Sequence, residues 1–277
     1  MHAKEVLTQL RKLGKPNTVQ IYARHGVSGP CYGVAYGDLK PLVKKIGPNH
    51  QAALTLWDSG VHDARVVATM IAEPGKMTRA QVERWLRDCD NYILTDAVSG
   101  IAALMPGALE MARAWIDEEG EWTTTAGWNV FAVSGGKGKL RADDVDGLLS
   151  RIESTIHSQP NRTRYAMNNV LIGIGGYVEP LRPRALAVAR AIGTVHVDHG
   201  ETGCRTPDAA GYIAKMVAHN AGKTAAGDTR GRRPAKRTRV TGANTRAPKK
   251  PPGRAARIAK ASARAVRTSR PSARKRR

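Results

Sequence analysis

The chain has 277 residues, 41% of them hydrophobic, and carries 45 Lys and Arg against 23 Asp and Glu, a net charge of +22. Three widely spaced cysteines, Cys31, Cys89 and Cys204, argue against a disulfide framework and for a reducing compartment. No window reaches the roughly 18 apolar residues of a membrane span, and Met1–Lys15 is charged throughout, so neither a span nor a signal peptide is expected. These features point to a cytoplasmic, nucleoid-associated protein; a monomer with no cofactor is expected.

Strand signals are weak and helix signals run almost unbroken to Asn220. Apolar periodicity predicts helices over His50–Trp57, Asp63–Ala72, Arg79–Arg87, Thr95–Met105, Ala108–Glu118, Asp143–His157, Arg164–Ile174, Arg184–Ile192 and Pro207–His219. Thr78 and Thr206-Pro207 are start signals, and Ser59-Gly60, Pro74-Gly75, Pro106-Gly107 and Gly175-Gly176 are stops. Short connections make consecutive helices antiparallel.

The helices repeat in pairs. Trp57, Trp85 and Trp115 each close a first helix, spaced by 28 and 30 residues. Each is followed by a polar break and a second helix rich in small residues: Ala64-Arg65-Val66-Val67-Ala68, Asp96-Ala97-Val98-Ser99-Gly100, and Ala126-Gly127-Trp128-Asn129-Val130. Two helices per unit at this period predict an all-α, HEAT-like α-solenoid over residues 1–220; the alternative is an irregular helical bundle.

Residues 221–277 hold twenty of the 45 Lys and Arg with one acid, Asp228, leaving only +3 for the rest of the chain. Written in Arg, Lys, Ala, Pro, Thr and Ser, this segment lacks the apolar surface to offset the entropy of ordering, and disorder is expected. Dense cation on a flexible chain binds polyanions by displacing their counterions. Duplex DNA is the expected partner, with candidate contacts at Arg232, Arg233, Lys249, Lys250, Arg274, Lys275, Arg276 and Arg277. A solubilising tail and an anionic membrane surface are the alternatives.

Smaller motifs add candidates. Lys137 and Lys139, in Gly135-Gly136-Lys137-Gly138-Lys139, lack the Ser or Thr of a P-loop and read as two cations for DNA phosphate. Asn161, Arg162 and Arg164 open a helix, where amides and guanidinium groups could grip one phosphate together; a solvated helix start is the alternative. Asp198, His199, Cys204 and Asp208 match no strong zinc pattern and read as a loop and cap, with no metal expected. His62 and Asp63 are expected to shape a turn.

Several strings in order carry a resemblance: Tyr32-Gly33-Val34-Ala35-Tyr36-Gly37-Asp38-Leu39, Leu56-Trp57-Asp58-Ser59-Gly60, Asp90-Asn91-Tyr92, Thr95-Asp96, Arg164-Tyr165-Ala166-Met167-Asn168-Asn169, and Cys204-Arg205-Thr206-Pro207-Asp208-Ala209. Their sequence resembles the DNA alkylation repair family of AlkD-like HEAT-repeat proteins, which includes glycosylases that excise alkylated bases. The resemblance spans the core and none of the tail. It implies a concave face that cups duplex DNA, with an Asp between two Trp beside the lesion and an Arg on the backbone phosphate.

Carried over, the Asp falls on Asp96, the Trp positions on Tyr92 and Asn169, and the Arg on Thr125. A carboxylate there would stabilise the oxocarbenium-like sugar left by a departing cationic base, and aromatic faces would meet the base by cation–π contact. The resemblance thus implies a DNA-binding protein of the alkylation repair type with Asp96 as candidate catalytic residue. A catalytically silent DNA-binding or scaffold protein is the alternative, and Thr95-Asp96 could simply cap the helix that follows.

Overall fold

The computed structural model describes residues 1–135, 140 and 142–228, and among these every regular element is helical. Thirteen α-helices are described: α1 (Ala3–Leu13), α2 (Pro16–Arg24), α3 (Tyr36–Ile46), α4 (His50–Asp58), α5 (His62–Ile71), α6 (Arg79–Arg87), α7 (Tyr92–Ala102), α8 (Ala108–Ile116), α9 (Glu121–Gly135), α10 (Ala142–Thr155), α11 (Asn161–Tyr177), α12 (Arg182–Ile192) and α13 (Ala209–Asp228). Nine were expected as ranges and α9 as a small-residue second helix. The structure adds α1, α2 and α3, whose apolar stripes are short; α1 buries only Ala3, Val6 and Leu10.

From α4 onward the helices pack as pairs, α4 on α5, α6 on α7, α8 on α9, α10 on α11 and α12 on α13. The second helices also touch in succession, α5 to α7 to α9 to α11 to α13, so one continuous core lies between two rows. This is the expected α-solenoid, in which each repeat buries its apolar face only against its neighbours.

Side-chain size sets the spacing. Trp57, Trp85 and Trp115 occupy matching places on α4, α6 and α8, and all three are fully buried. The rings of Trp57 and Trp85 stack, with centroids 4.2 Å apart and planes 5° apart. The indole N–H of Trp57 donates to Asp88 Oδ2 at 2.7 Å, and that of Trp115 to Glu83 Oε1 at 3.3 Å, so each ring is tied to the α6 repeat. Truncating such a ring to Ala typically costs about 3–5 kcal/mol.

The second helices approach closely because their contact residues are small. A Cβ on Gly127 of α9 would lie 2.7 Å from Ile116 Cγ2 and 2.9 Å from the Ala112 carbonyl oxygen of α8. Even one added methyl would separate the pair.

Asp63, at the start of α5, is buried at 1% exposure and accepts three backbone N–H bonds, from Tyr32 at 2.6 Å, Gly33 at 3.3 Å and Val34 at 2.7 Å. It therefore holds a loop 29 to 31 residues earlier in the chain rather than the adjacent turn it was expected to shape, and fixes the chain that enters α3 at Tyr36.

Candidate nucleic-acid interface

The site is built where α7, α9 and α11 begin side by side. Asn91 caps α7, its side chain accepting from the Leu94 N–H at 3.1 Å, while its Nδ2 donates to Asp90 at 2.6 Å. The helix thus starts at Tyr92, three residues before the expected Thr95. Thr95 and Asp96 lie in its second turn, so the capping role held open for Asp96 belongs to Asn91.

Asp96 is exposed on this face, and its Oδ1 accepts from Asn129 Nδ2 of α9 at 2.8 Å. Desolvation pushes its pKa up to about 6, against the opposing pull of the Arg162 cation and the Asn129 hydrogen bond. Tyr36, from α3, sits close enough for the Asp96 charge to help hold its hydroxyl protonated, after burial, which is the larger cause.

Arg162 is the electrostatic centre. Its guanidinium carbon lies 3.9 Å from the Tyr92 ring centroid and 4.7 Å from that of Tyr165. Its backbone N–H donates to Glu121 Oε1 at 2.7 Å, fixing the start of α11 against the start of α9. The guanidinium itself makes no hydrogen bond or ion pair among the described residues, and its Nε is enclosed without a partner. The Tyr92 hydroxyl bonds His25 Nδ1, and the His199 ring meets Tyr165 edge-on at 5.5 Å. Burial first, and then the Arg162 charge, lower the pKa of His199; for His25 the Arg24 charge adds to both.

Beside Arg162 opens a cavity of about 600 Å³, lined by Arg24, His25, Tyr92, Trp122, Arg162 and His199 among others. Three of its four acids are partly committed: Asp90 accepts from Asn91 and from Ser28 Oγ, Glu121 from the Arg162 amide, and Asp198 from the Gly200 amide, while Glu201 has no hydrogen bond or ion pair among the described residues. Arg24 and Arg162 have no ion pair among the described residues.

The other expected positions sort clearly. Thr125 is 2% exposed and its hydroxyl pairs with Thr163 Oγ1 at 3.1 Å, so it lies in the core and cannot reach a phosphate. An arginine in its place would meet that packed layer. Asn169 is half-buried, and an aromatic ring, Tyr165, stands one turn before it on α11. Asn161 is spent as a latch: its Nδ2 donates to the Asp198 carbonyl at 2.8 Å and its Oδ1 accepts from the Asp198 N–H at 2.7 Å. It does not share a phosphate grip with Arg162 and Arg164. Those two arginines are two residues apart on one helix and face different ways. Arg164 Nε is enclosed without a partner.

The loop after α12 serves as loop and cap. His199 Nε2 pairs with Thr206 Oγ1 at 3.0 Å, and Asp208 Oδ2 accepts from the Gly211 N–H at 2.7 Å to cap α13. Lys137, Lys139, Arg232, Arg233, Lys249, Lys250 and Arg274 to Arg277 lie outside the described residues. Sequence reasoning missed Tyr36, His25, Trp122 and Tyr165 as parts of this face. Only Tyr165 had a local signal, three residues beyond Arg162 on one helix.

Three comparisons place this geometry among known proteins. A family model described as DNA alkylation repair enzyme matches residues 6–213. The uncharacterized protein Lin0241 of Listeria innocua is 34% identical over 215 residues, 75% of this chain and 94% of that protein. Lmo0209 of Listeria monocytogenes, also uncharacterized, is 33% identical over the same length and shares. A solved structure, from work describing a new family of proteins related to the HEAT-like repeat DNA glycosylases with affinity for branched DNA structures, superposes with a TM-score of 0.74 at 31% identity. It covers 79% of this chain and 95% of that one.

Proposed function

The chain belongs to the DNA alkylation repair enzyme family, and we propose that it binds DNA across the face where α7, α9 and α11 begin, preferring branched or distorted duplexes. The observation that carries this reading is Arg162. A guanidinium in contact with two tyrosine rings, with its N–H groups unpaired among the described residues, is pre-organised to donate to a backbone phosphate. Tyr92 and Trp122 line the adjoining cavity and offer faces on which bases unstacked at a branch can rest. The solved relative's affinity for branched DNA supports the same preference, and the cations beyond Asn220 add sequence-independent affinity.

The test is anisotropy of the full chain on a four-way junction and on a linear duplex of equal length, across a salt series. Tighter binding to the junction at every salt concentration is expected. Equal affinity for the two would remove the preference, and no binding to either at low salt would end the reading.

One observation favours a second reading, excision of N-alkylated bases. Asp96 is an exposed carboxylate pinned by Asn129, and with a pKa of about 6 it is largely ionised at neutral pH. As the bond between the sugar C1′ and the base nitrogen breaks and water adds at C1′, such a charge would stabilise the sugar cation. Free base released from methylated duplex, falling about tenfold to a thousandfold in Asp96→Asn, is the expected signature. No release by the wild type, where a control glycosylase is active, leaves the binding reading alone.

A further inference from the structure

Two aromatic rings that share one cation near a carboxylate make a receptor for a flat organic cation, because ring quadrupole and charge both favour it. The structure has this arrangement in Tyr92, Tyr165 and Asp96, and a cation already sits in it. The Arg162 guanidinium carbon is 3.9 Å from one ring centroid and 4.7 Å from the other, and its charge is felt at Asp96. Nothing else holds the guanidinium there: it has no hydrogen bond or ion pair among the described residues, and its enclosed Nε is unpartnered. Arg162 is half-buried and only its Nε is enclosed, so its closest contacts among the described residues are the two rings, with the Nη groups left toward the open side.

We propose that Arg162 is the specificity-determining residue of this face, filling a cation site from within and converting it into a site for anionic phosphate. The ligand half of the inference rests on the DNA-binding reading; the occupancy half does not. While Arg162 is in place, a positively charged base meets both a filled space and a like charge, whereas a phosphate meets an unpaired donor edge. Withdrawing the arginine reverses the preference, since Tyr92, Tyr165 and Asp96 then face an open space.

The experiment titrates 7-methylguanosine, a flat cationic nucleoside, into the full chain and its Arg162→Ala variant, with neutral guanosine as control. Tyr92 and Tyr165 ring resonances report occupancy. Arg162→Met, which keeps the stem and volume and removes the charge, is carried in parallel, with thermal melts of all three proteins, so a fold defect in the alanine variant does not decide the outcome. Saturable shifts with the cationic nucleoside are expected in the alanine variant, at least about tenfold tighter than in the wild type and about tenfold tighter than with guanosine. Junction DNA should bind both variants about tenfold more weakly, with a salt slope lower by about 0.9 for the one phosphate no longer neutralised. Equal affinity of wild type and folded variants for 7-methylguanosine, or none in either variant, would overturn the inference even if DNA binding falls. Failure of the wild type to bind DNA, with the nucleoside result as expected, would leave Arg162 as the occupant of the cation site and end the DNA-binding reading.

Discussion

Asp63→Asn tests how the face is held. The carboxylate is 1% exposed and receives N–H bonds at 2.6, 2.7 and 3.3 Å from three consecutive residues, Tyr32 to Val34. An asparagine of the same shape keeps one acceptor oxygen and turns an NH₂ group toward the remaining donors. At least one of the short bonds, or the short and long pair on Oδ2, becomes donor against donor. Losing a charged acceptor costs about 1.5–3 kcal/mol per bond, so the two short bonds amount to about 3–6 kcal/mol, the long third bond being left out. For a domain of this size each kcal/mol lowers Tm by about 2–4 °C, giving an expected fall of about 6–24 °C by calorimetry or far-ultraviolet circular dichroism. Asp58→Ala is the matched control, removing an exposed ion pair with Arg84 at 2.8 Å and costing less than about 1 kcal/mol. If Asp63→Asn melts within about 2 °C of the wild type, or no lower than Asp58→Ala, the carboxylate does not hold the entry to α3 and Tyr36 owes its place to packing alone.

Two further outcomes are expected. Because the folded protein holds Asp96 up at about 6, its neutral form is favoured on folding; that stabilisation is fully present below the ordinary carboxylate range and lost as pH rises through about 6. Asp96→Asn should therefore melt higher relative to wild type at pH 7.5 than at pH 4. Its DNA affinity should also lack the part of the wild-type gain between pH 7.5 and 5.5 that comes from neutralising a carboxylate near phosphate; subtracting the two profiles removes the titrations of His25 and His199, and superimposable profiles would contradict the shift. Truncation after Asp228, where α13 ends, removes nineteen of the 45 Lys and Arg. The salt slope of duplex binding should flatten by about 0.9 for each phosphate the shortened chain no longer neutralises. The melt of the remaining chain should be unchanged, and an unaltered slope would assign the affinity to the helical face alone.

The sequence by itself determined the helical class, the pairing of helices and the segregation of charge, because these are written locally or additively. Trp57, Trp85 and Trp115 recur at the repeat period, and the first two stack as that period requires; the basic segment is legible from composition alone. The order of short strings identified the family. What tertiary structure decided is which side chains meet. Thr125 looked like a candidate phosphate ligand in the strings, yet the rotation of α9 against α11 turns it inward to Thr163, 38 residues away. Asp96 meets Asn129 across 33 residues, and Tyr92 bonds His25 across 67. Even the start of α7 was settled by Asn91, whose cap outcompetes Thr95 because Asp90 braces its side chain. Helical periodicity fixes which residues share a stripe, but how each helix rolls against its neighbour depends on contacts such as Gly127 against Ile116. That roll, summed over α7, α9 and α11, is what brings Arg162 against two tyrosine rings.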